Sequence, residues 1–154
     1  MEEMSRIADQ LKRAYEGQAW HGPSLKEVLN GVTAEIAVKK PLPASHCIWE
    51  LVRHIGVWEG AARRRISGDP APIPDELDWS AVTDKSVEAW ANELAELERG
   101  HMQLREAISK LTDADLSKNA EGQQYSIYFL LHGVIQHDLY HAGQIAILKR
   151  SLIQ

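Results

Sequence analysis

Apolar residues recur at helical spacing along four long segments, and in the last of them the apolar face is interrupted by histidines. Met4, Ile7, Ala8, Leu11 and Ala14 mark a first amphipathic helix, ended by Gly17. Ile48, Leu51, Ile55, Trp58 and Ala62 mark a second, from about Cys47 to a stop at Gly68. Val87, Trp90, Leu94, Leu97, His101, Leu104 and Ile108 share one face of a third, from about Asp84 to Leu111. The fourth runs from Ser126 to Arg150, with Ile127, Leu130, Val134, Ile145 and Leu148 in its stripe. Between the first two, Pro23 and Ser24 open a short helix through Leu25, Val28 and Leu29, and residues 33–39 make a further turn before Pro41 and Pro43. Residues 67–82, SGDPAPIPDELDWSAV, hold three prolines and no helical period, which predicts a surface crossover. Extended, a stretch of that length reaches ~50 Å, so the second and third helices can run parallel instead of forming a hairpin. Residues 119–124 form a polar loop. With no alternating segment to suggest a strand, the expectation is an all-α four-helix bundle, with a long crossover between its second and third helices, in one domain over residues 1–154.

The gap in the last stripe is filled by His137 and His141. Positions four apart on a helix differ by only ~40° in direction and ~6 Å in height, so both rings look toward one interior point. Two buried neutral imidazoles need partners for four ring nitrogens. They can be hydrogen-bonded core histidines, or a metal can serve both rings at once. His54, three after Leu51 and four before Trp58, adds a third inward imidazole from the second helix. Three imidazoles with coordination positions left open make a catalytic-type site for one divalent transition metal ion, Zn²⁺, Ni²⁺, Fe²⁺ or Co²⁺.

The segments HDLYHAGQIAILKR, HCIWELVRHIGVWE and AWHGPSL together resemble the DinB-like superfamily of metal-dependent enzymes over nearly the whole chain. The resemblance implies a four-helix bundle. It also implies a divalent metal held by one histidine of the second helix and two of the last, which fall here on His54, His137 and His141. Relatives of this kind include hydrolases and transferases that add low-molecular-weight thiols to electrophiles. The implied partner is therefore a small-molecule substrate, with such a thiol among the candidates. Family members often carry serine where Cys47 stands, a departure that touches a helix cap and leaves the ligands alone.

Composition narrows the picture further. The 154 residues suffice for one core without staples, and the single cysteine rules out an internal disulfide or a multi-cysteine zinc site. That usage fits a reducing compartment, so a cytoplasmic location is expected. No apolar run is long enough for a membrane span, and the opening MEEMSRIADQLKR has no signal-like apolar core. A formal charge of −5 argues against nucleic acid as a partner, and Arg63 to Arg65 read as a solvated helix end. A face rich in Trp and Leu can support a homodimer.

Other polar residues have plainer readings. Glu98 and His101 hold the Glu-x-x-His spacing of di-metal bundles, but only one copy exists, so His101 is expected as a packed or rim histidine. His46 and His132 read as structural or solvated, and Glu50 as an N-terminal charge that forms a capping box with Cys47. Asp138 is expected to point ~100° away from His137, toward another helix or solvent. His21 lies in the connecting loop, and the five tryptophans read as fillers, with Trp58 able to wall a pocket near His54. Cys47, ~10 Å along the helix from His54, is too distant to be the nucleophile. Together with the resemblance, which implies a metal-dependent hydrolase or thiol transferase, these features leave as the alternative a non-catalytic metal-binding or protein-interaction bundle.

Overall fold

Each predicted amphipathic segment is a helix in the computed structural model, which describes residues 2–70 and 72–153. The long helices are α1 (Glu3–Glu16), α4 (Ile48–Ile66), α6 (Val87–Ile108) and α7 (Ile127–Leu152). Two short helices, α2 (Leu25–Leu29) and α3 (Ala34–Ala37), lie between the first pair. No strand is formed among the described residues.

Local chemistry sets the boundaries. Gly17, at φ 131°, ends α1 in a conformation that few side chains tolerate. The hydroxyls of Ser24, Thr33, Ser86 and Ser126 accept the first free N–H groups of α2, α3, α6 and α7, each cap contributing ~1 kcal/mol. The third long helix spans its apolar stripe, Val87 to Ile108, and stops about three residues short of the expected bounds, Asp84 and Leu111, at each end. Asp84 accepts the Ser86 N–H and turns the chain just before the cap. Beyond its other end, a 3-10 turn at Asp113–Asp115 lets the Asp113 carboxylate accept the N–H groups of Glu3 and Met4, capping α1 from across the bundle.

Packed pairs give the topology. Trp49 meets Trp90, Arg53 meets Glu93 and Glu59 meets His101, residue numbers rising together, so α4 and α6 are parallel. Trp58 against His137 and His54 against His141 run in opposite order, which makes α7 antiparallel to α4. Tyr15 lies on His101, whereas Met4 binds Asp113, so α1 is antiparallel to α6. The crossover that permits the parallel pair is not wholly irregular, contrary to expectation, since Asp75–Asp78 forms one helical turn, α5.

The core falls into two apolar clusters. One gathers Ile48, Leu51 and Ile55 with Trp90, Leu97, Ala142 and Ile145; the other gathers Leu11, Ala62, Leu104, Ile108, Leu131 and Val134. Between these levels α4 contributes Glu59, α6 His101 and α7 Asp138, all fully enclosed. A polar layer thus crosses the middle of the bundle.

Candidate metal centre

At the α4/α7 seam, level with this layer, three imidazoles meet. His137 Nε2 lies 3.0 Å from His54 Nε2 and 3.1 Å from His141 Nε2. His54 and His141 are buried and His137 is partly exposed. Two rings have their other nitrogen committed. His54 Nδ1 faces the Asp78 carbonyl at 2.9 Å and the Asp78 carboxylate at 3.0 Å, while His141 Nδ1 faces Gln144 Oε1 at 2.6 Å. All three acceptors require an N–H, so the proton sits on Nδ1 and both Nε2 lone pairs point at His137. Burial also holds the His141 pKa below its ordinary value, which favours the neutral ring.

Three imidazole nitrogens converging at this separation can share one cation. Nitrogens ~2.1 Å from one first-row ion and at right angles to each other are ~3.0 Å apart, so the donor set fits a divalent transition metal in both spacing and chemistry. His54, His137 and His141 are also the sole cluster of metal-type donors among the described residues.

The crossover supplies the wall of this site. Trp79 stacks on His54 with centroids 3.8 Å apart and planes 8° from parallel, and it stacks on His46 at 3.6 Å. Trp58 donates to Asp78 Oδ1 at 2.7 Å, tying α4 to the same turn. Sequence reasoning missed Asp78 and Trp79. Four residues of helix cannot display a period, and nothing local marks them as neighbours of His54.

Beneath the cluster, Glu59 Oε1 lies 2.7 Å from His101 Nδ1, and the His101 ring stacks on Tyr15 at 3.9 Å. Burial pushes the Glu59 carboxyl up to about 8 and the His101 imidazole down to about 4, so at neutral pH the two are uncharged groups sharing a hydrogen bond. Burial raises Asp138 well above the usual carboxylate range, and the neighbouring Glu59 carboxyl, wherever it ionises, pushes it the same way. Asp138 does face another helix; its Oδ1 is 3.8 Å from His137 Nδ1, beyond hydrogen-bond length. The stripe itself could have revealed both acids, because Glu59 continues Ile55 and Ala62, and Asp138 continues Val134 and His141.

The remaining candidates sit apart. His101 is packed in the interior, with no rim position, and Glu98 pairs on the surface with Lys26 at 2.6 Å, so the Glu-x-x-His spacing assembles nothing. His132 lies against Tyr128, and His21 is exposed. Glu50 accepts the Cys47 N–H and pairs with Lys40. Cys47 is buried and its thiol pKa is raised by that burial. The arginine cluster departs from expectation: Arg65 is 8% exposed, held under Trp58 and hydrogen-bonded to the Tyr125 hydroxyl, because its position faces the α7 side of the bundle.

An all-α bundle with three clustered histidines between its second and last long helices defines a metal-site architecture. The DinB superfamily profile matches residues 19–145, and the chain belongs to that superfamily, a metal-binding group. No curated protein and no solved structure matches the chain. The match begins after α1, so the helix that brings Tyr15 onto His101 lies outside it. Among the described residues no helix is long and apolar enough to cross a membrane.

Proposed function

We propose that this protein is a metal-dependent enzyme acting on a small molecule, with one divalent transition ion held by His54, His137 and His141. The observation that carries this reading is the convergence of three Nε2 atoms, two of them stripped of their protons by the acceptors on Nδ1. Bound there, the ion supplies Lewis acidity that favours the anionic form of an attacking water or thiol.

The chain's own residues define the rest. Asp78 and Gln144 hold two rings in the ligating tautomer. Trp79 and Trp58 cover His54 and keep bulk water off it. Beside His137 a groove of about 220 Å³ opens between Trp58 and α7, giving a small molecule access to one side of the site. Cys47, enclosed and disfavoured as a thiolate, supports an attacking group from outside the protein. That group is water for a hydrolase or a low-molecular-weight thiol for a transferase.

Metal titration of untagged protein tests the site. His54→Ala, His137→Ala and His141→Ala should each abolish tight binding, whereas His101→Ala should retain it. Loss of the site in His101→Ala alone would overturn the assignment. A panel of esters and electrophiles, assayed with and without added thiol, then separates the chemistries. Turnover in water alone identifies a hydrolase and turnover only with thiol a transferase; metal-independent turnover abolished by Cys47→Ala would defeat both.

A further inference from the structure

Arg65 presents a charge that meets no counter-charge among the described residues. Its side chain is more than nine-tenths buried, and its Nε is enclosed without a hydrogen-bond partner. Nη1 donates to the neutral Tyr125 hydroxyl at 3.0 Å, and the guanidinium carbon lies 5.7 Å from the Trp58 ring centroid. No carboxylate forms an ion pair with it among the described residues, although the neighbouring Arg64 reaches Asp69. A guanidinium cannot shed its proton, so enclosing one without an anion leaves a standing desolvation cost. A cation–π contact and one neutral acceptor offset only part of that cost.

The position of this charge is informative. Arg65 lines the same groove as Trp58, Tyr125, Phe129 and His137. Trp58 is near both Arg65 and His137, with the guanidinium carbon 5.7 Å and the His137 ring centroid 5.9 Å from its ring. Arg65 and His137 are thus within about 12 Å of each other, within a small molecule's reach, in a groove whose remaining walls are aromatic and aliphatic.

We infer that Arg65 is a substrate-binding residue, and that the substrate is a small organic carboxylate whose apolar or aromatic portion lies along Trp58 and Phe129 with its reactive end toward His137. This rests on the reading of the three-histidine cluster as the reaction centre. A carboxylate is the anion that a guanidinium engages with most directional fit, and a groove of this size accommodates a ring beside it. Phe129, 64% exposed, lines this groove and offers an apolar face to such a ring.

The test is binding of benzoate, benzamide and inorganic phosphate, read by calorimetry and by the indole N–H resonance of Trp58, which Trp58→Phe assigns. It is run on zinc-loaded protein and on protein freed of metal by chelation. Benzoate should bind about tenfold or more tightly than its neutral isostere benzamide in both states. Arg65→Gln should remove that difference, and Arg65→Lys should retain part of it. Equal affinity for acid and amide in the wild-type protein overturns the proposal whatever the folding of the variants. Phosphate binding as tightly as benzoate overturns the apolar half of the ligand. Benzoate binding that requires zinc and ignores Arg65→Gln places the carboxylate at the histidines, overturning the role of Arg65 while the metal reading stands. A protein that takes up no metal yet keeps an Arg65-dependent preference for benzoate sinks the proposed function and preserves this site.

Discussion

Glu59 sits in an environment far from the one its side chain prefers. A free glutamic acid loses its proton near 4.5, whereas the buried group keeps it to about 8, so between those values the folded protein binds more protons than the unfolded chain. Stability therefore falls as pH rises through that window. His101 acts in the opposite sense lower down: the free ring protonates near 6.5 and the buried one only near 4, so stability falls as pH drops between them. Glu59→Gln keeps a group able to bond His101 and has no charge to bury. It should melt several degrees above wild type at pH 8, on a scale of roughly 2–4 °C per kcal/mol for a chain of this size, with the gap closing toward pH 5. A constant gap across that range would show that Glu59 is not protonated in the folded protein. Helical spacing placed His54, His137 and His141 on inward faces because periodicity reports direction. It could not report that Arg65 is enclosed, since a basic residue near a helix end reads as solvated until the chain opposite, here Tyr125, is positioned.

At the scale of elements, the crossover is both the least legible segment and the one that finishes the site. The four long helices were readable because each repeats its apolar face over several turns. The single turn of α5 offers no repeat, and its four residues, DELD, bury nothing. Position alone gives it a role, since it aims the Asp78 carbonyl and carboxylate at His54 Nδ1. The segment is also seated against the polar loop. Gly122 adopts φ 70°, and a Cβ added there would lie 2.4 Å from Pro70 Cβ. Gly122→Ala combines left-handed backbone strain with that clash and should cost more than about 1–2 kcal/mol. Thermal unfolding measures it directly, and a melting temperature equal to wild type would mean that loop and crossover are not packed together as described.

For the whole molecule, the two apolar clusters on either side of the polar layer hold the helices together independently of any ion. Chelation should accordingly leave the far-ultraviolet circular dichroism almost unchanged and lower the melting temperature only by the linkage of the bound metal. Collapse of the helical signal would identify a structural metal and weaken the enzymatic reading. The all-α bundle and its parallel pair were legible in the sequence, because four stripes and one long proline-rich connection leave few topologies. The division of the core was not, because it depends on Glu59, His101 and Asp138 arriving at one level from three helices. The placement of the histidines on α4 and α7 has a consequence for biosynthesis. A nascent chain that has released everything through α6 carries a single imidazole of the cluster, and one imidazole is a poor chelator. The pair on α7 is synthesised last of the long helices, so binding through all three imidazoles has to wait for α7, by which point α4 and α6 are already made.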